Sequence, residues 1–266
     1  MRLSYVIAAA LSLTTPGFAQ ENPLADGETW DMLRGDIVGD TVLQDGSNLF
    51  TVDAPYRAND AATVPVVIRQ TDPTLQIEGV TVVIDENPSP LAATFAFGDA
   101  MGPIDFEMRV RVNQYSNVRV IADTADGAYM AGRFVKASGG CSAPASRDPQ
   151  SALSTLGQMR LRQFAADTPA VNTPRREAQI MIRHPNYSGL QRDQVTQLFI
   201  GAQFIDTLEV RQGEDLLFTM EGGISISENP VFRFSYDDNG ATALTVRATD
   251  TDGNTFARTL PKSLDG

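Results

Sequence analysis

The only cysteine of the chain, Cys141, stands in the stretch Lys136-Ala137-Ser138-Gly139-Gly140-Cys141-Ser142-Ala143-Pro144-Ala145-Ser146, with no large apolar neighbour for several residues on either side. A cysteine kept for packing sits within an apolar periodic segment, where it acts as a small hydrophobe. This setting predicts an exposed thiol instead. Gly139 and Gly140 lose more conformational freedom on ordering than any other residue type, so they favour a flexible arm over a fixed turn. The plain alternative is an interdomain linker with an incidental cysteine. The nucleophile in thiol chemistry is the thiolate, and a cysteine of pKa about 8.5 is only a few per cent ionised at neutral pH. Lys136 and Arg147 flank the arm, but a mobile tether fixes neither, so both read as solvated charges and modest activation is expected.

His184 is the only histidine, and it is the side chain that titrates near neutrality. Its position before Pro185 reads as a strand end entering a loop, a structural role, since a general base must come within hydrogen-bond reach of the thiol. One cysteine and one histidine exclude a Cys/His metal cluster, and no Gly-x-Ser-x-Gly elbow accompanies His184. No nucleotide loop, haem motif or cluster of metal ligands is present, so no cofactor is implied.

Stepping outward, Met1-Arg2 and the apolar run Val6 to Leu13 precede Gly17-Phe18-Ala19, the form of a secretory signal cut after Ala19. The run is far short of the ~20 residues that span a bilayer, so a soluble exported chain without a membrane span is expected. Removing residues 1–19 takes away Arg2 alone among the charges and changes the net charge from −12 to −13, which disfavours nucleic acid as a partner. In an oxidising compartment structural cysteines come in pairs, so an unpaired one implies a reactive thiol or an intermolecular bond.

Residues 20–28 read as a disordered lead, and Thr29 to Arg34 as a short helix capped by Thr29, with Trp30 and Leu33 on its buried face. From Thr63 the pattern becomes short β-rich runs: Val64 to Arg69, Ile77 to Ile84, Leu91 to Phe97, Phe106 to Val112, Val118 to Ala122 and Tyr129 to Val135. Asp72-Pro73, Asn87-Pro88-Ser89-Pro90, Gly102-Pro103 and the hairpin signal Asp126-Gly127 separate them, as in a β-sandwich. After a linker rich in Ala, Ser and Pro, a second series follows: Met159 to Phe164, Ala178 to Ile182, Phe204 to Arg211, Leu216 to Met220, Ile224 to Ile226, Val231 to Tyr236, Leu244 to Ala248 and Thr255 to Leu260. The halves echo each other, because Glu86-Asn87-Pro88 and Glu228-Asn229-Pro230 each follow a strand, and Asp126-Gly127 and Asp252-Gly253 each mark a late hairpin. Two sandwiches of related topology are therefore expected.

These residues resemble the SoxYZ sulfur carriers, and more closely the fused SoxYZ-like carriers associated with quinoprotein dehydrogenases. The first half is similar to SoxY through Trp30, Val64-Pro65-Val66, Asp85-Glu86-Asn87-Pro88-Ser89-Pro90-Leu91, Arg109-Val110-Arg111 and Gly139-Gly140-Cys141. The second is similar to SoxZ through His184-Pro185, Gly189-Leu190, Ser227-Glu228-Asn229-Pro230 and Thr249-Asp250 with Gly253. The resemblance implies that Cys141 holds oxidised sulfur covalently and that the second half is a non-catalytic partner. The chain departs from the family in carrying Ser142 where the motif continues with glycine, and in placing the cysteine internally rather than near a free C-terminus.

The expected fold is all-β. It has two immunoglobulin-like β-sandwich domains (29–137 and 158–266) joined by a flexible cysteine-bearing linker (138–157), with a short N-terminal helix. The expected function is a periplasmic, non-catalytic carrier that presents a sulfur intermediate on Cys141 to sulfur-oxidising or quinoprotein dehydrogenase-associated enzymes and cytochromes. The alternative is a secreted binding module whose Cys141 forms an intermolecular disulfide. A cysteine hydrolase would need a fixed base, and the segment around Cys141 offers none.

Overall fold

The computed structural model describes residues 23–144, 154–164 and 175–262; the expected signal segment 1–19 lies outside them. One helix, α1 (Glu28–Val38), precedes seven strands of the first half: β1 (Leu43–Asp45), β2 (Phe50–Asp53), β3 (Val64–Gln70), β4 (Ile77–Ile84), β5 (Leu91–Phe97), β6 (Asp105–Val110) and β7 (Ser116–Thr124). An eighth, β8 (Gly127–Val135), completes it. The second half contributes β9 (Met159–Phe164), β10 (Arg175–Ile182), β11 (Ile205–Gln212), β12 (Asp215–Gly222), β13 (Val231–Asp237), β14 (Ala243–Asp250) and β15 (Thr255–Pro261).

The strands form because their apolar residues alternate or run together. In β3, Val64, Val66 and Ile68 point inward while Pro65 and Arg69 face solvent, the period of a sheet with one wet face. In β7 the buried run Ser116 to Ala122 is covered on both faces: its inner face joins the main core, and on the outer face Ile121 packs with Val83 and Trp30 of α1. The helix is longer than the sequence suggests. It starts after Gly27, with no side-chain cap from Thr29, and continues through Gly35. Trp30 is buried and Leu33 packs beside it, as expected. Where a disordered lead is expected, Asn117 clamps Ala25 through Oδ1 and Nδ2 at 2.8 and 2.9 Å.

The two sandwiches are not merely tethered. A nine-stranded sheet runs β1-β8-β7-β4-β5-β12-β11-β14-β15 and a six-stranded sheet runs β2-β3-β6-β13-β10-β9. Both cross from one half to the other, through β5 against β12 and β6 against β13. Apart from β1, each strand order reads the same from either end once seven is added to the strand number, so equivalent strands meet at the seam. This is the related topology anticipated above. The Asp126-Gly127 and Asp252-Gly253 hairpins, between β7 and β8 and between β14 and β15, are equivalent in it. The two Glu-Asn-Pro elements are not, since one links β4 to β5 and the other β12 to β13. Phenylalanines from both halves fill the seam: Phe95, Phe97 and Phe106 pack with Phe218, Phe232 and Phe234, with ring centroids 5.3 Å apart for Phe106 and Phe218. Such edge-to-face pairs add about 0.5–1.5 kcal/mol each beyond burial.

Candidate functional site

Cys141 lies where the halves meet, and it is not on a free arm. Its side chain is fully buried. After β8, the Gly139 N–H donates to Asn113 O at 2.8 Å, the Gly140 N–H donates to Val112 O at 3.1 Å, and the Ser142 N–H closes back on Gly139 O at 3.2 Å. The result is a tight turn with Gly140 and Cys141 at its centre. The glycines act through position as well as freedom. Gly139 has φ +78, which side chains rarely adopt, and a Cβ on Gly140 would overlap Ala61 O and crowd Val112 O. Small residues around the cysteine thus serve close backbone packing, which from sequence alone resembles flexibility. Ser142, the departure from the family glycine, adds a side-chain bond to Gly139 O at 3.3 Å.

The second half covers the turn from the loop after β10. Ser188 Oγ donates to Cys141 O, and Gln191 Nε2 donates to Ala143 O at 2.8 Å. Beneath them lies Arg111, 1 % exposed. Its Nη1 reaches Gly140 O at 3.4 Å, its Nη2 donates to Asn186 O at 3.0 Å, and its Nε has no partner. Burial pushes the Cys141 thiol up to about 11, with Arg111 pulling weakly the other way. In this closed state the sulfur is therefore a neutral thiol, protected and slow to react.

His184 does not touch the cysteine. It is buried, with Nε2 3.3 Å from Asp250 Oδ2 and Nδ1 2.6 Å from Asn186 Oδ1. Burial lowers its pKa, so it is neutral near pH 7. Asn186, at φ 43, ties the two sites together: its side chain bonds to Ser227 O and the Ile205 N–H, while its carbonyl receives Arg111. The structural reading of His184 thus fits its surroundings. The Glu-Asn-Pro elements do more than turn the chain. Asn87 Nδ2 donates to Arg111 O at 2.7 Å and Asn87 Oδ1 accepts the Asn113 N–H at 2.8 Å, which braces both ends of the segment under Cys141. The Asn229 N–H donates to His184 O at 2.8 Å.

Of the expected flanking cations, Lys136 is half-buried with its Nζ 4.7 Å from the Tyr56 ring centroid, and Arg147 lies outside the described residues. The cation that reaches the cysteine turn among the described residues is Arg111, which sequence reasoning did not single out as a site residue. In the sequence it appears within the SoxY-like stretch Arg109-Val110-Arg111 and between two valines; Val110, Arg111 and Val112 are all buried, where strand alternation would turn the middle one outward. The cover that buries it comes from residues about 75 positions away, at Asn186.

Residues 34–141 match the family model "Sulfur oxidation protein SoxY", and residues 168–261 match "Sulphur oxidation protein SoxZ". The first match ends at Cys141 itself. No curated protein matches the chain. Among solved structures, the sulfur carrier protein SoxY from Chlorobium limicola f thiosulfatophilum is 26% identical, with 41% of this chain and 96% of that chain covered and a TM-score of 0.34. Two sandwiches, each matching one partner of a sulfur-oxidation carrier, define the class of this protein. The chain belongs to the SoxYZ family, with SoxY and SoxZ fused in one polypeptide. No helix among the described residues is long and apolar enough to cross a membrane.

Proposed function

We propose that the protein is a periplasmic carrier that holds a sulfur-containing intermediate covalently on Cys141 and presents it to partner oxidising enzymes, without catalysing the oxidation itself. The observation that carries this reading is the position of the chain's single cysteine at the end of the SoxY-matched segment, clamped by the SoxZ half. The closed turn is then a resting state. A buried neutral thiol is a poor nucleophile, so loading requires the segment 139–143 to leave its site, hinged at Gly139 and Gly140 and released from Ser188 and Gln191. The SoxZ half serves as the lid of this store. Export through residues 1–19 gives the carrier periplasmic partners; sulfur-oxidising or quinoprotein dehydrogenase-associated enzymes and cytochromes are the client class.

Intact mass of protein purified from the periplasm without reductant tests the reading. Sulfur adducts that reductant removes and that Cys141→Ser lacks are expected, because thiols in an oxidising compartment are readily capped. A uniform Cys141-linked dimer would instead establish the intermolecular disulfide of a binding module.

A further inference from the structure

The geometry points to Arg111 as the binding residue for an anionic group carried on Cys141, a sulfur oxyanion of the sulfonate or thiosulfonate class. This inference rests on the carrier reading above. Arg111 is almost wholly buried, yet its hydrogen bonds within the described residues go to neutral backbone carbonyls, Gly140 O and Asn186 O. Its Nε–H has no partner. An isolated buried charge is costly unless paired, and arginine does not escape by losing its proton. The groups that attract it through space are Cys141, Glu228 and Asp60. Of these, only Cys141 belongs to the turn that Arg111 touches. With a neutral thiol, Glu228 and Asp60 act on the guanidinium only through space and no anion hydrogen-bonds to it among the described residues, whereas an oxyanion on the same sulfur supplies both the charge and an acceptor for the idle donor, the planar fork for which arginine is suited. Among the described residues, Ser188 and Gln191 hydrogen-bond to the turn from the lid side, so these are the contacts that shift to admit the group.

The overall charge of the protein gives the opposite expectation. At a net −12 the field of the whole molecule favours a cationic adduct over an anionic one, so a preference for anions has to be local.

The test uses three methanethiosulfonate reagents on the full chain in alkaline buffer, bearing a sulfonatoethyl, a methyl or an aminoethyl group. In each case the Cys141 thiolate attacks the sulfenyl sulfur, the bond to the sulfonyl sulfur breaks, and methanesulfinate departs with the electron pair. The three mixed disulfides differ chiefly in terminal charge, and intact mass confirms each. The expected melting order is sulfonate above methyl above ammonium, with the sulfonate adduct released by dithiothreitol about tenfold more slowly than the methyl adduct, the size of one charge-assisted hydrogen bond. In Arg111→Gln the order and the rate difference collapse, and Arg111→Lys keeps part of both. Should Arg111→Gln not fold, the wild-type series decides alone: an ammonium adduct equal to or above the sulfonate adduct overturns the assignment, as does an order that survives in Arg111→Gln. Failure of all three reagents to modify Cys141 is a different result, and it overturns the carrier reading together with this inference.

Discussion

Two buried arginines of the SoxY half sit in contrasting surroundings. Arg119 on β7 donates through Nε and Nη2 to the Asp85 carboxylate at 2.9 Å, and its guanidinium lies 4.6 Å from the Trp30 ring centroid. Both side chains of the pair are nearly inaccessible, at 6% and 3%. Among the described residues Arg111, just beyond β6, hydrogen-bonds to no carboxylate, only to two carbonyls, and its Nε is idle; Glu228 and Asp60 act on it only through space. A fully partnered buried charge specifies a structure: the Arg119 pair fastens α1 to the outer face of the sheet. An incompletely partnered one is tolerated where something else completes it. The difference separates an architectural cation from a functional one without appeal to any motif.

The comparison is broken most severely at Asp85. Asp85→Ala leaves the Arg119 guanidinium buried and unpaired, and is expected to cost about 3–5 kcal/mol, read as a lowered midpoint in urea, while alkylation of Cys141 in the folded protein stays near wild type. A loss under 1 kcal/mol would erase the distinction between the two arginines.

Next in size is the reactivity of the thiol. With its pKa at about 11 in place of 9.0, Cys141 should react with iodoacetamide at pH 7 about a hundredfold more slowly in the folded protein than in urea, since each unit is a factor of ten in thiolate. The raised pKa also fixes a sign. The folded state prefers the protonated thiol, so this contribution to stability is complete below pH 9 and disappears as pH rises toward 11. Gly140→Ala, which drives a methyl group into Ala61 O, should displace the turn and recover much of the lost reactivity. Unchanged slow alkylation in that variant would mean that the thiol is protected by something other than this packing.

The smallest effect on the thiol should come from His184→Gln. Burial depresses the His184 pKa below 6.5, so its neutral form contributes stability that is complete above the unfolded value and is lost as pH falls through the folded one. The variant should flatten that acid-side slope and lower the stability of the SoxZ half by about 0.5–1.5 kcal/mol, since Asp250 and Asn186 lose one partner each but keep others. The neutral-pH alkylation profile should not move. If a titration near neutrality vanishes with the histidine, then His184 reaches the thiol in an open state.

Most strands were legible because their burial is local. The boundaries of β4, β5 and β9 coincide with those read from composition and turns. The short strands β1 (Leu-Gln-Asp) and β2 (Phe-Thr-Val-Asp) were not, having too few apolar residues to show a period. Ile224 to Ile226 reads as a strand but forms a turn with a single bridge from Ile226 to Val110. The site was half legible. Cysteine and glycines stand out by residue type, but whether they are free or clamped depends on Ser188, Gln191, Asn186 and Arg111, whose roles arise only when distant segments meet. Glycine is the ambiguous letter here, since mobility and tight approach both select it.

The seam of paired strands also bears on why one chain carries both halves. With two sheets and a shared aromatic core crossing it, the association does not need the intervening segment for its strength; the segment changes the mass action. Two separate subunits at low abundance can part, and every parted SoxY half would show its sulfur bare of Ser188 and Gln191. Within one polypeptide the lid is present at an effective concentration on the millimolar scale, set by chain length and not by expression level. The protection of the Cys141 thiol is thereby independent of dilution.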